Sequence, residues 1–197
     1  MVDPFLQSVF VQPRAVFGRK LRPFSAFHAA ALTLLDSPFW RGGTPDRSEL
    51  IIAAYVCTLT FPHGAAALFP ELQQDKVLEF GKKCTGADFE TECAAFLDHI
   101  LDYMHTPEEW TKKDSDGGKS GVPGPFLIVS IVLQHMSGIT ETEAWNMPFS
   151  RLVGYKTAIA ESFGAKVVSE QDRKDIAEVA RINAEAAKKQ EAQDGNS

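Results

Sequence analysis

The sequence is poor in the features that mark several large classes of protein. Its 197 residues include only three cysteines, and no two of them have the Cys-x-x-Cys spacing of structural zinc sites. An odd number of cysteines also argues against a disulfide framework and favours a reducing compartment. No run reaches about 18 consecutive apolar residues, and the longest, 50–57 and the serine-interrupted 125–133, are too short to span a bilayer. The sequence therefore predicts neither a disulfide-rich secreted domain nor a membrane protein.

Motifs for catalysis and nucleotide binding are also missing. The sequence has no Gly-x-Ser-x-Gly nucleophile elbow and no His-Glu-x-x-His pair. Residues 118–120 (Gly-Lys-Ser) lack the glycine that a phosphate-binding loop needs five positions earlier, where Lys113 stands. Residues 114–116 (Asp-Ser-Asp) begin like a calcium loop, but a lysine and a proline occupy its glycine and glutamate positions. We therefore expect no enzymatic activity and no bound cofactor or metal.

Charge is distributed unevenly along the chain. The 20 Lys and Arg against 26 Asp and Glu give a formal net charge of −6, which does not favour nucleic-acid binding. Residues 1–24 carry four basic side chains and one acid, whereas residues 70–110 carry ten acids and three lysines. This asymmetry is typical of a solvated acidic face, of contact between copies of the chain, or of contact with a basic partner.

Apolar residues recur at helical spacing over most of the chain. We predict an all-α domain of about six to eight helices over residues 25–168. An extended arm precedes it over 1–24, where prolines interrupt any helix, and must dock on its own domain or on a neighbour. A C-terminal helix and polar tail follow over 169–197. Residues 125–136 are rich in β-branched side chains, and we interpret them as a helix because they are long for a strand.

Capping residues predict where several helices begin. Ser25 is placed to cap the first helix, and Thr44, followed by a proline, to cap the second. Proline and glycine predict a loop between these helices over residues 36–43. Thr140 and Glu143 have the spacing of a capping box at the start of a later helix.

Two further helix starts are predicted from single residues. Pro70 would open a polar helix over 70–82, and Ser169 would begin the C-terminal helix. The stripe of the C-terminal helix is thin and consists of Ile176, Val179, Ala180 and Ile182.

The clearest amphipathic pattern lies in residues 88–105. Its apolar side chains recur at steps of three and four residues: Phe89, Cys93, Phe96, Leu97, Ile100, Leu101 and Met104. Asp98, Asp102 and His105 lie one turn apart on another face, where they could converge on a metal or act as acid and base. We interpret that face, which includes His99, as solvated surface. A metal-dependent hydrolase using Asp98, Asp102 and His105 is the alternative from another functional class. His28, in an apolar helix, is predicted to be a hydrogen-bonded core histidine.

Two segments of the chain resemble a known family. The first comprises residues 18–28 (Gly-Arg-Lys-Leu-Arg-Pro-Phe-Ser-Ala-Phe-His) and 35–39 (Leu-Asp-Ser-Pro-Phe). The second is 140–148 (Thr-Glu-Thr-Glu-Ala-Trp-Asn-Met-Pro), followed by Leu152, Tyr155 and 158–161. Together they resemble small helical proteins of tailed-bacteriophage tail modules, especially tail assembly chaperones, over about a third of the chain.

The resemblance implies a non-enzymatic assembly protein in the cytoplasm of a bacterial host. Proteins of this family hold the tape-measure protein before the tube protein polymerises around it. A neck or tail component that stays in the virion is the alternative within the same class, and its copies could associate with one another. No membrane partner is expected.

Large aromatic side chains near loops and helix starts are candidates for partner binding. Trp40, Trp110 and Trp145 all have such positions, where each either closes a corner of the core or is half exposed to a partner. The candidate partner-binding residues are Trp40, Trp145, Met147 and Tyr155.

Overall fold

The computed structural model describes residues 11–63, 74–105, 122–168, 172, 174–183 and 185. Over these residues the chain is mainly helical, as the sequence predicts, with one small two-stranded sheet. The elements in chain order are β1 Ala15–Val16, β2 Arg19–Lys20, α1 Ala26–Leu34, α2 Pro38–Arg41, α3 Arg47–Val56, α4 Gln74–Lys82, α5 Phe89–Leu101, α6 Gly124–His135, α7 Glu141–Asn146 and α8 Phe149–Ser162. Residues 174–183 form a further helical stretch. No described helix is both long and apolar enough to cross a membrane.

Helices α1 and α6 pack against each other and against several further helices. Helix α1 packs against α2, α3, α6 and α7, and α6 packs in turn against α7 and α8. One core contains the largest fully buried apolar side chains, and they come from widely separated parts of the described chain. They are Phe24, Leu32, Leu50, Phe96, Tyr103 and Leu152. Burial of each such side chain stabilises the fold by about 1.5–3 kcal/mol before chain entropy is counted.

Local capping sets the start of several helices. Ser25 is the N-cap of α1, as predicted. The capping box at α7 is also confirmed: Thr140 donates its backbone N–H to Glu143 Oε2 at 2.8 Å, and Glu143 donates its own to Thr140 Oγ1 at 3.2 Å. Each bond satisfies a backbone donor that the first turn of a helix leaves free.

Two predicted boundaries near the second helix are wrong. The predicted loop over 36–43 contains the short helix α2, which begins at Pro38, because proline is suited to the first position of a helix. Thr44 does not cap α3. Asp46 does, accepting the backbone N–H of Glu49 at 2.8 Å, since its carboxylate binds the free donors and is also favoured by the helix dipole.

The apolar segment 125–136 forms α6 almost in full, which confirms the helical interpretation. The amphipathic segment 88–105 forms α5, but that helix ends at Leu101. The starts predicted at Pro70 and Ser169 lie outside the described residues.

The described part of the N-terminal arm is a hairpin and not an extended segment. Ala15 pairs with Lys20 and Val16 with Arg19 in antiparallel register. The two residues between the strands, Phe17 and Gly18, both have positive φ, the combination that a two-residue type I′ turn requires.

Polar contacts join this hairpin to the acidic helix α5 of the same molecule. The Arg14 guanidinium donates to Asp102 Oδ2 at 2.6 Å and to Asp98 Oδ2 at 3.0 Å. The backbone N–H of Phe17 donates to Glu92 Oε2 at 2.6 Å. Part of the charge asymmetry seen in the sequence is therefore matched within one chain.

The segment that forms α5 buries most of the apolar stripe that its periodicity predicts, since Phe89, Cys93 and Met104 are half-buried against the core. Phe96 and Ile100 are buried, as predicted, but Leu97 and Leu101 are exposed. His99, predicted to lie on the solvated face, is completely buried. The buried side of α5 is therefore shifted from the predicted stripe toward His99.

Candidate functional site

An apolar cleft of about 520 Å³ opens between α1, α6 and α7. Helix α1 forms one side, and the start of α6, helix α7 and Phe61 form the other. The lining residues are Phe27, Ala30, Ala31, Thr33, Leu34, Arg41, Phe61, Pro123, Phe126, Glu141 and Trp145. The volume falls within the range typical of ligand and peptide-anchor pockets.

Four aromatic side chains form a continuous inner wall of the cleft. Ring centroids are 6.2 Å apart for Phe27 and Phe61, and 5.6 Å apart for Phe61 and Trp145. Phe126 meets Trp145 nearly edge-to-face, at 4.8 Å and 76°, an arrangement that aromatic pairs favour. The buried Trp145 also donates its indole N–H to Glu141 Oε1 at 3.3 Å. Ring contacts and one hydrogen bond therefore join these side chains into one apolar surface.

Asn146 positions Phe61 within this wall. Its Oδ1 accepts the backbone N–H of Phe61 at 2.9 Å, and its Nδ2 donates to the Phe61 carbonyl at 2.7 Å. The same nitrogen donates to the Thr142 carbonyl one turn back in α7 at 2.8 Å. One short helix, α7, therefore carries Trp145 and also holds Phe61 beside it.

The rim of the cleft exposes apolar side chains to solvent. Leu34 at the end of α1 is 71% exposed, and Phe126 in the first turn of α6 is 49% exposed. The charged lining residues already have partners, since Arg41 Nε lies 2.9 Å from Asp36 Oδ1 and Glu141 accepts the indole N–H. Exposed apolar side chains beside a concave apolar wall are typical of an interaction site.

The lining of the cleft is mainly apolar. Glu141 is the one carboxylate among its described lining residues, and no histidine or cysteine lines it. The chemistry that this surface offers is the removal of apolar groups from water.

Of the four candidate partner-binding residues, Trp145 alone lines the cleft. Met147 follows α7 and Tyr155 lies on α8; both are half-buried and pack against the core.

Trp40 packs against the core at another place. Its ring lies 5.6 Å from that of Phe24 and 6.2 Å from that of Phe149. Trp110 lies outside the described residues. The aromatic surface of the cleft therefore comes mainly from phenylalanines.

The structure does not bring together the three residues of the alternative hydrolase. Asp98 and Asp102 both bind the Arg14 guanidinium, and His105 lies beyond the end of α5. Across the described ranges, no three His, Cys, Asp or Glu side chains are grouped to hold a metal ion. The geometry gives this alternative no support.

Two buried histidines are held in different ways. His28 Nδ1 lies 3.1 Å from the backbone nitrogen of Ser25 and its Nε2 lies 3.1 Å from the carbonyl of Leu59, which confirms the predicted core histidine. Neither ring nitrogen of His99 has a hydrogen-bond partner among the described residues. Burial lowers the pKa of both histidines to about 4; for His99 the nearby Asp102 carboxylate and the backbone of Arg22 oppose this effect.

Most of the cleft was not predicted from the sequence. Phe27 and Phe126 lie in apolar segments that the sequence assigns to the core, and Leu34 ends such a segment. The local pattern contains no signal that Leu34 and Phe126 would reach solvent, because their exposure depends on how distant helices meet.

No protein-family model matches this chain, and no curated protein or solved structure is similar to it.

Proposed function

We propose that the chain is a non-enzymatic binding protein whose cleft holds the apolar face of a helix from a partner protein. The exposed rim formed by Leu34 and Phe126, next to the aromatic wall of the cleft, is the observation that carries this proposal. Covering each large apolar side chain contributes about 1.5–3 kcal/mol. A wall that is already ordered reduces the entropy lost on binding, and grooves of this kind bind amphipathic helices through apolar anchors.

The proposed setting is the assembly of a phage tail. The two segments with family resemblance both contribute to the cleft: Phe27 comes from 18–28, and Glu141 and Trp145 come from 140–148. On this proposal, the two segments that resemble tail assembly chaperones help to build the binding surface. On this proposal the cleft shelters apolar helices of a tape-measure protein in the bacterial cytoplasm until the tube forms around them.

Co-expression with the tape-measure protein encoded nearest to its gene tests the proposal. The affinity-tagged chain should keep that protein soluble and co-purify with it. Leu34→Gln/Phe126→Gln should lower the recovery of the complex by about tenfold or more, because two apolar contacts are lost. Leu78→Gln is the matched control, since Leu78 is 61% exposed on α4, away from the cleft, and it should leave recovery unchanged.

Two results would count against the proposal. Unchanged recovery with the double variant, at an unchanged melting temperature, would place the binding surface elsewhere. Failure of the wild-type chain to form any complex would remove the chaperone role. Detection of the chain in purified particles would instead support the neck or tail component.

A further inference from the structure

We propose that proton uptake by His99 in mild acid releases the hairpin segment, residues 11–22, from α5 while the helical core stays folded. His99 is completely buried, and neither of its ring nitrogens has a hydrogen-bond partner among the described residues. None of these residues lines the cleft. The inference is therefore independent of the proposed function.

The hairpin segment and α5 enclose the His99 ring. The side chain of Arg14 and the backbone of Arg22 lie close enough to act on it electrostatically. Tyr103, whose ring centroid is 5.5 Å from that of His99, donates its hydroxyl to the Val11 carbonyl at 3.1 Å. The other ring neighbours, both at 6.4 Å, are Phe24 and Phe96. A proton taken up by this ring would be buried without solvation, unless the hairpin segment moved away.

Two charged side chains make the closed form disfavour the proton and the open form favour it. The Arg14 guanidinium occupies Asp102, with its Nε 2.6 Å from Asp102 Oδ2, and its positive charge opposes a charge on His99. Release of the hairpin segment removes Arg14. Asp102, one turn from His99 in α5, is then free to pair with the imidazolium. The same carboxylate therefore has one cationic partner in each form.

The other titratable groups near His99 do not carry such an exchange of partners. The Tyr103 phenol, whose pKa burial raises to about 12, stays neutral in mild acid. His28 faces His99 from α1, and the Phe24 ring contacts both histidines, with centroids 5.9 Å from His28 and 6.4 Å from His99. His28 is held by Ser25 and by the Leu59 carbonyl, which lie outside the hairpin segment.

The contacts of the hairpin segment allow it to open without the core. It is bound to α5 through Arg14 and through the Phe17 N–H, which donates to Glu92 Oε2 at 2.6 Å. At its other end, the Arg22 N–H donates to the Cys57 carbonyl at 2.9 Å. The next anchor is separate, because the Phe24 carbonyl accepts the N–H of Phe149 in α8 at 2.8 Å. Opening can therefore stop before Phe24, exposing His99 and leaving His28 buried.

The number of protons distinguishes local opening from global unfolding. Local opening exposes one buried histidine, so its equilibrium constant should rise about tenfold for each pH unit below about 6.5. Global unfolding exposes both His28 and His99, and its equilibrium constant should rise by up to about a hundredfold over the same interval. The pKa of each histidine in the folded chain is about 4, so both slopes persist over at least one pH unit.

Amide hydrogen exchange of the full chain between about pH 6.5 and 5 tests the proposal, with each rate divided by that of an unstructured peptide at the same pH. Leu21 and Arg22 report on the hairpin segment, since both amides donate hydrogen bonds there. Val132, buried in the middle of α6, reports on global unfolding. The protection of Leu21 and Arg22 should fall about tenfold per pH unit, and that of Val132 more steeply.

A matched pair of variants assigns the effect to one histidine. His99→Leu should make the protection of Leu21 and Arg22 independent of pH over this range, whereas His28→Leu should leave their tenfold dependence in place. An unchanged dependence in His99→Leu would overturn the proposal. In wild type, protection of Leu21 and Arg22 that does not vary with pH, or that falls as steeply as that of Val132, would overturn it as well, without recourse to either variant.

Discussion

At the scale of single residues, the two buried histidines show that the free-energy cost of burying a polar side chain depends on its hydrogen bonds. The ring of His28 lies within hydrogen-bond distance of Ser25 and the Leu59 carbonyl, so burial replaces its contacts with water. His99 has no such partner among the described residues and is surrounded by the rings of Phe24, Phe96 and Tyr103. A buried polar group without hydrogen bonds costs about 1–3 kcal/mol.

Leucine substitutions should therefore have opposite effects at the two sites. We expect His99→Leu to raise the free energy of unfolding by about 1 kcal/mol at neutral pH, because an unsatisfied group is replaced by an apolar one. We expect His28→Leu to lower it by about 1–3 kcal/mol, because the N–H of Ser25 or the Leu59 carbonyl loses its partner. Urea denaturation of both variants measures the difference. Equal destabilisation by the two substitutions would contradict this account of His99.

The same histidines should make the protein sensitive to mild acid. Their folded-state pKa of about 4 lies below the ordinary value of 6.5, so the unfolded chain takes up protons first as the pH falls. Their contribution to the free energy of unfolding is fully present above about pH 6.5. It is lost as the pH falls from about 6.5 to 4, by up to about 1.4 kcal/mol per pH unit for each histidine. Urea titrations across this range should show about half that slope in His99→Leu. A slope identical to that of wild type would exclude His99 as a contributor.

At the scale of elements, neighbouring residues in the sequence predict where helices begin, but they predict less well which side chains of a helix are buried. Ser25 and the pair Thr140 and Glu143 cap helices as predicted, because capping involves residues within one turn. Leu97 and His99 are assigned to the wrong environments. The spacing of apolar residues within α5 cannot show which side of the helix the hairpin covers, because that contact joins residues far apart in sequence.

The start of α3 provides a direct comparison of two candidate caps. Asp46 accepts the N–H of Glu49, whereas Thr44, the predicted cap, lies two residues before it. Asp46→Ala should lower the free energy of unfolding by about 1 kcal/mol, and Thr44→Ala should leave it within about 0.5 kcal/mol of wild type. Chemical denaturation of the two alanine variants checks this difference. A larger loss of stability in Thr44→Ala than in Asp46→Ala would identify Thr44 as the cap.

At the scale of the whole molecule, the all-α class and the apolar core follow from composition and from the helical spacing of apolar residues, but the cleft does not. Leu34 and Phe126 come from helices far apart in the sequence, and each would look like an ordinary core residue in isolation. Trp145 is a candidate from the sequence because it lies near a predicted helix start, where a large aromatic side chain either closes a corner of the core or faces a partner. Phe61 was missed because its place depends on Asn146, whose side chain binds both its N–H and its carbonyl.

The docking of the arm on its own domain is a property of the whole molecule that exchange measurements can test. Arg14 joins the hairpin to Asp98 and Asp102 through exposed ion pairs, which contribute at most about 1 kcal/mol. Arg14→Ala should therefore speed amide exchange in the hairpin several-fold with little loss of global stability. Arg41→Ala, which removes an exposed pair with Asp36, is the control and should leave exchange in the hairpin unchanged. Wild-type exchange in the hairpin should be the same at low and high protein concentration; protection that grows with concentration would show that the arm docks on a neighbouring copy.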